Sequence, residues 1–125
     1  MKTMLTGCPA ERTLAAVGGR WKIFILEQLF GGTVRFSELQ RTINSVISSN
    51  VTPKMLTQEL RQMEANGLVH REVYAQVPPK VEYSLTPLGM SLRPVVEAMI
   101  EWGRQHEVEM DGSFTPCTPK SVFDQ

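Results

Sequence analysis

Four polar side chains between positions 54 and 61 recur at a spacing that places them on one face of a helix. Leu56, Leu60 and Met63 repeat at the same kind of interval and form the opposite, apolar face. Ammonium, amide, hydroxyl and guanidinium groups on one face can bind phosphates and the edges of DNA bases. Taken alone, such a face is more often simply solvated. The four residues are Lys54, Thr57, Gln58 and Arg61.

The helix that must carry this face has clear start and stop signals. Thr52 can cap the first backbone N–H groups, and Pro53 fits the first helical position because it has no N–H to lose. Asn66 and Gly67 are typical of a helix end. The sequence therefore predicts a helix over Thr52 to Asn66.

Another predicted helix, Ser37 to Asn44, precedes it. Ser37 and Gln40 form a capping-box pattern at its start. The same two side chains could donate hydrogen bonds to a phosphate at the helix N-terminus. The two roles are compatible, and the sequence does not choose between them.

A β-hairpin is predicted after the polar helix. Apolar residues alternate from Val69 onward and again up to Leu85, and Val77-Pro78-Pro79 interrupts them. Polar side chains that could reach nucleic acid lie on this hairpin. Arg71 could equally pair with a neighbouring carboxylate, Glu72 or Glu82. The hairpin candidates are Arg71, Gln76 and Lys80.

The remaining helices frame this central part. Cys8-Pro9 starts the first, Trp21 to Phe30 is apolar nearly all round and predicts a buried helix, and Thr33 to Phe36 can form a very short strand. A long helix is predicted from Thr86-Pro87 to about Val108, with a kink or break at Pro94. Its heptad-spaced seam is suited to packing on another helix. The seam consists of Leu88, Leu92, Val95, Met99, Trp102 and His106.

The order helix, helix, helix, helix, hairpin, helix predicts an α+β, mostly α fold: a winged helix-turn-helix with a two-stranded wing and extra N- and C-terminal dimerisation helices. We expect one domain over residues 1–110. Residues 1–7 read as a short flexible arm. Residues 111–125 lack periodicity and read as a flexible tail.

Composition narrows the function classes. Net charge is zero, but residues 1–96 carry a balance of +4 and residues 97–125 one of −4, which weakly favours an anionic partner for the body. No apolar run could span a membrane and no leader opens the chain, so we expect a cytoplasmic protein. Cys8 and Cys117, with two histidines, predict neither a disulfide framework nor a metal site. No catalytic constellation or cofactor motif is visible, which argues against an enzyme.

Several stretches taken together resemble the HxlR family of bacterial winged-helix transcriptional regulators, relatives of the MarR type. The resemblance covers residues 8 to about 106, and the most specific motifs are MLTQELRQME and VEYSLT. The matching stretches are Cys8-Pro9, GGRWKIFILEQL, RFSELQRTI, KMLTQELRQMEANGLVHREVY, PPKVEYSLTPLG and EWG. One departure is the loop from Asn44 to Pro53, which is longer than usual in the family and leaves open a helix start at Ser48 or Ser49.

The resemblance implies a homodimer that binds a two-fold symmetric operator on double-stranded DNA, and we expect the protein to act as a repressor. Thr52 to Asn66 would be the recognition helix in the major groove, and Val69 to Leu85 the wing against the flanking backbone or minor groove. The neutral net charge keeps open an alternative, a winged-helix protein-interaction module that does not bind DNA.

Cys8 is the candidate sensing residue. A thiol at a helix N-cap feels the positive end of the helix dipole, which favours the thiolate that oxidants and electrophiles attack. Family members sense quinones, aldehydes or oxidants through a cysteine at this Cys-Pro position. Cys117 could resolve an oxidised Cys8 or be an incidental thiol, and Cys8 could instead be a small residue packed in an interface. A small aromatic effector bound between the long helix and the body is the other regulatory expectation.

Overall fold

The computed structural model describes residues 7–19, 21–46 and 50–110. Helices and strands follow one another in the order expected of a winged helix-turn-helix. Their bounds are α1 Pro9–Val17, α2 Lys22–Phe30, β1 Val34–Arg35, α3 Phe36–Val46, α4 Pro53–Ala65, β2 Val69–Tyr74, β3 Lys80–Leu85, α5 Pro87–Met90 and α6 Arg93–Gln105.

The core lies where the apolar faces of α2, α3 and α4 meet the sheet. α2 contacts α1, α3, α6 and β3, which confirms it as the central buried helix. Leu56, Leu60 and Met63, the predicted inner face of α4, are fully buried. Because these residues lie in the core, the polar side of α4 is turned outward.

The wing belongs to a three-stranded antiparallel sheet with strand order β1-β3-β2. β2 pairs with β3 from Val69 opposite Leu85 to Tyr74 opposite Lys80, and the predicted break at Val77-Pro78-Pro79 forms the tip. β1 pairs with the other edge of β3, with Val34 opposite Tyr83. The expected two-stranded hairpin is therefore present, and the short strand adds a third member to it.

The C-terminal helix differs from the prediction in where it breaks and ends. The break falls at Ser91 and Leu92, between α5 and α6, rather than at Pro94. Pro94 occupies the first turn of α6, where a missing N–H costs no helical bond. α6 ends at Gln105, three residues before the predicted end at Val108.

The bounds of α3 also differ from those predicted from the sequence. α3 begins at Phe36, so Ser37 lies inside its first turn and is not the N-cap. The helix continues through Val46 instead of ending at Asn44. The capping-box interpretation of Ser37 and Gln40 is therefore wrong.

The fold class is confirmed as a mostly helical winged helix-turn-helix. Most of the predicted N-terminal arm and the whole predicted tail, residues 1–6 and 111–125, lie outside the described residues. The domain boundary at 110 therefore stays a prediction. Within the described ranges, no helix is long and apolar enough to cross a membrane.

Candidate nucleic-acid interface

The start of α4 is fixed by a hydrogen-bonded cap. The Thr52 hydroxyl oxygen accepts a hydrogen bond from the Met55 backbone N–H at 3.1 Å, and Pro53 is the first helical residue. A start at Ser48 or Ser49 is therefore wrong. This register leaves Lys54, Gln58 and Arg61 exposed and Thr57 half-buried.

The loop before α4 is held by the side chains of α3. Asn44 Oδ1 accepts a hydrogen bond from the Val51 backbone N–H at 2.6 Å, and Gln40 Nε2 donates to the Val51 carbonyl at 3.1 Å. Val51 itself is buried in the core. Gln40 thus ties α3 to the start of α4, and its Nε2 does not point freely to solvent.

A cleft of about 610 Å³ opens between the first turn of α3, the outer side of α4 and the wing. Five of the predicted site residues line it together. They are Ser37, Thr57, Arg61, Arg71 and Lys80. Lys54 and Gln58 are exposed on α4 outside the lining, and Gln76 is exposed at the wing tip.

Arg35 also lines the cleft, and sequence reasoning missed it. It is exposed on β1, in a strand of two residues with no periodic pattern to reveal a face. The cleft therefore has four cationic side chains, Arg35, Arg61, Arg71 and Lys80, against one carboxylate in its lining, Glu64. That excess of positive charge suits a polyanion.

The charges on the wing are distributed unevenly. Glu72 is hydrogen-bonded to His70 at 2.9 Å, and Glu82 lies 3.7 Å from the Lys80 ammonium. Arg71 makes no ion pair with any of the residues that the structure describes, so neither Glu72 nor Glu82 neutralises it. Arg71 therefore presents a full positive charge to the cleft.

Lys80 is held in place by a small cluster on the same face of the wing. Its ammonium lies 4.4 Å from the centre of the Tyr74 ring, a cation–π contact. A hydrogen bond with Glu82, together with the negative charge of that carboxylate, raises the pKa of Tyr74. Tyr83, by contrast, is buried.

A buried lysine connects α2 to α4. Lys22 Nζ donates hydrogen bonds to Glu59 Oε1 at 3.0 Å and to Gln62 Oε1 at 2.7 Å. The stretch from Trp21 to Phe30 is apolar nearly all round, and no role was predicted for Lys22 from the sequence. A charged residue inside an apolar helix was the available signal, because a buried ammonium needs partners.

Cys8 is exposed at the N-cap of α1, where the sequence placed it. Arg12, one turn further on, is also exposed and lines a second cavity. Cys117 lies outside the described residues. Within the described ranges, no group of His, Cys, Asp or Glu could hold a metal ion.

Three of the six members of the predicted heptad seam are exposed on the single chain, whereas Leu92 packs against the core. Leu88 is 57% exposed, Met99 41% and Trp102 55%. The Trp102 ring stacks on His106 with ring centroids 4.4 Å apart. Val96 and Ile100, on another side of α6, make the contacts with the core.

Comparison with known proteins identifies the class. The curated relative YybR of Bacillus subtilis, an uncharacterized HTH-type transcriptional regulator, is 50% identical over 100 residues, which are 80% of this chain and 76% of YybR. The redox regulator HypR in its oxidized form is 50% identical with a TM-score of 0.68, covering 78% of this chain and 96% of that one. Its reduced form gives 47% identity and a TM-score of 0.70, covering 79% and 93%.

Diamide-treated YodB from B. subtilis is a more distant structural neighbour, 32% identical with a TM-score of 0.64, covering 91% of this chain and all of that one. The winged fold and these relatives define the protein as a transcriptional regulator of the helix-turn-helix type and not an enzyme. The sequence model described as HxlR-like helix-turn-helix matches residues 16–111. The chain belongs to the HxlR family.

Proposed function

We propose that the protein is a homodimeric, sequence-specific DNA-binding repressor whose affinity for its operator is controlled through Cys8. The observation that carries the DNA-binding part is the cationic cleft beside the outward face of α4. A polar helix face alone is commonly just solvated, but here it adjoins three arginines and a lysine drawn from β1, α4 and the wing. That arrangement matches a helix in the major groove with phosphates on one side of it.

Base contacts would come from α4. Gln58 can bond adenine and Arg61 guanine in a bidentate way, while Lys54 and Thr57 can reach phosphates or base edges. Contacts to the DNA backbone and the neighbouring groove would come from Arg35, Ser37, Arg71, Gln76 and Lys80. Gln40 would act indirectly, by supporting the loop at Val51.

Dimerisation would use the exposed seam on α5 and α6. A surface tryptophan, methionine and leucine at heptad spacing are costly to leave in water and suit packing against the same seam of a second copy. Two-fold symmetry would then set the distance between the two α4 helices. Successive major grooves on one side of DNA are roughly 34–36 Å apart, so a small rotation of the subunits would weaken binding.

Control through Cys8 is supported by its exposure at a helix N-terminus and by the neighbours HypR, a redox regulator, and YodB, solved after diamide treatment. An oxidant such as diamide would take two electrons and two protons from a pair of thiols, leaving a disulfide. The second thiol would be Cys117 or a cysteine of the second copy. An electrophile would instead form a thioether directly with the Cys8 thiolate.

A small aromatic effector is the second regulatory candidate. A mostly apolar cavity of about 460 Å³ lies between α1, the end of α4 and α5, with Leu68, Leu88 and Leu92 in its wall and Arg12 at its side. Its size is within the usual range for small-molecule sites. Protection of the protein against thermal unfolding by an aromatic acid, lost in Arg12→Ala, would support this route.

The interaction-module alternative loses its motivation in the structure. It was suggested by the neutral net charge, and it expects no basic surface across α4 and the wing. Four cationic side chains line the cleft there.

The decisive experiment is a gel-shift titration with the DNA upstream of the protein's own gene, against a shuffled duplex of equal length. It is run on reduced protein, after diamide and after a quinone, with Cys8→Ser and Cys117→Ser in parallel. We expect selective binding when reduced, release on oxidation, and no release in Cys8→Ser. A parallel in vitro transcription assay uses a template that carries the same upstream DNA. Oxidation that releases the protein from this template should restore transcription.

Each other outcome has a distinct meaning. Binding that ignores diamide and quinone would refute control through Cys8 and leave the DNA-binding role intact. Equal affinity for both duplexes would refute an operator in that upstream region, and selection from a pool of random duplexes would then test sequence preference in general. Activation instead of repression in the transcription assay would reverse the proposed sign.

A further inference from the structure

The recognition helix is held on its flank by a polar link that the described function does not explain. Only 9% of the Lys22 side chain is exposed, and Glu59 is 20% exposed. The ammonium bridges two acceptors on α4, at 3.0 Å and 2.7 Å. Placing a charged amine between two helices is costly, and an apolar residue of similar length would fill the same space without that cost.

The position of the link around α4 is informative. At about 100° per residue, Glu59 and Gln62 lie on one flank of the helix, whereas Thr57, Arg61 and Glu64 lie roughly opposite them. The latter three residues line the cationic cleft. A pull on one flank of a helix resists its rotation about its own axis, and such a rotation would swing Arg61 and Gln58 relative to DNA.

The other contacts of α4 restrain different motions. The hydrogen bonds of Asn44 and Gln40 on α3 to the Val51 backbone, the loop clamp, hold the N-terminal end of the helix. Leu56, Leu60 and Met63 hold it against the core through apolar contacts, which are non-directional. The two short bonds from Lys22 are directional, and they reach residues one turn apart.

We infer that Lys22 is a positioning residue for DNA recognition: its hydrogen bonds to Glu59 and Gln62 fix the rotational setting of α4 on the body of the protein. This inference rests on the proposed reading of DNA by α4. It assigns sequence discrimination, rather than affinity for DNA in general, to a side chain that is buried away from the cleft.

The test separates discrimination from general affinity. Wild-type protein first selects a preferred site from a pool of random duplexes, and the probes are then that selected duplex and a shuffled version of it. We expect Lys22→Met to reduce the ratio of the two affinities by about tenfold, the size of one mismatched base pair. Affinity for the shuffled duplex should change by less than about threefold, because the phosphate contacts remain.

Matched variants sharpen the result. Lys22→Arg keeps donors for both acceptors and should restore most of the ratio. Arg104→Met removes one cation from α6, where Arg104 pairs with exposed Glu101, and should leave the ratio unchanged. Gln62→Leu removes a single acceptor at the surface and should lower the ratio by about threefold, which provides a test even if Lys22→Met fails to fold.

A measurement on the free protein gives an independent check. Amide hydrogen exchange should become faster across residues 53–65 in Lys22→Met and stay unchanged in α6. A selective wild type with an unchanged affinity ratio in Lys22→Met and Gln62→Leu would overturn the role of Lys22 alone. A wild type that selects no sequence would refute the proposed function and this role together.

Discussion

The exposed seam on α6 gives the sharpest quantitative prediction, and Trp102 is its largest member. A tryptophan side chain can bury about 200 Å², and 55% exposure leaves about 110 Å² available to a second copy. At about 25 cal/mol per Å², and with part of the area kept by alanine, Trp102→Ala should cost about 2 kcal/mol for each protomer. Two seams would meet in the proposed dimer, so the dissociation constant should rise by about a thousandfold.

The assay is sedimentation equilibrium over a dilution series, with circular dichroism to show that the variant is folded. Trp102 lies away from the core contacts of α6, so the folded monomer should persist. Arg104→Ala is the control, because Arg104 lies on the opposite side of α6 and donates a hydrogen bond to exposed Glu101 at 2.7 Å. A Trp102→Ala protein that dimerises as tightly as the wild type would refute the assignment of the seam to the interface.

Three further substitutions test the proposed DNA contact of Arg71, the hydrogen bond from Val51 to Asn44 and the close packing of Gly89. Arg71→Ala should weaken binding to all duplexes alike and reduce the slope of log affinity against log salt by about one, as fluorescence anisotropy at several salt concentrations will show. Asn44→Ala leaves the Val51 N–H without its acceptor and should lower the free energy of unfolding by about 1–3 kcal/mol in urea titrations; an unchanged midpoint would contradict the loop clamp. Gly89→Ala places a Cβ against the carbonyl oxygen of Leu68 and should destabilise the fold by about 1–3 kcal/mol, measured the same way.

Elements with local signals were predictable from the sequence. The bounds of α4 follow from Thr52, Pro53 and Asn66, because capping is decided within a few residues of the helix end. The inner face of α4 followed from periodicity alone. The hairpin was equally readable, since strand alternation and the paired prolines are local features.

Features that depend on residues distant in the sequence were not predictable. Lys22 and Glu59 are 37 positions apart, and nothing local to either shows that they meet. The spacing of Ser37 and Gln40 suits a capping box. In the fold, the Gln40 side chain instead donates a hydrogen bond to the carbonyl of Val51, which is 11 positions away in the sequence. Arg35 lines the cleft because β1 pairs with β3 beside it, and no local pattern in the sequence shows that pairing.

α2 lies between the parts of the protein proposed to sense oxidants, to form the dimer and to read DNA. α2 packs against α1, which starts at Cys8, and against α6, which carries the seam, while its Lys22 holds the flank of α4. A change in how α1 or α6 packs would therefore act on the same helix that sets the rotation of α4. If operator affinity is controlled through Cys8, removal of the Lys22 hydrogen bonds should uncouple the oxidation of Cys8 from the reading of DNA by α4. Lys22→Met protein should still be oxidised at Cys8, but its already weakened preference for the operator should fall by a smaller factor on oxidation than that of the wild type.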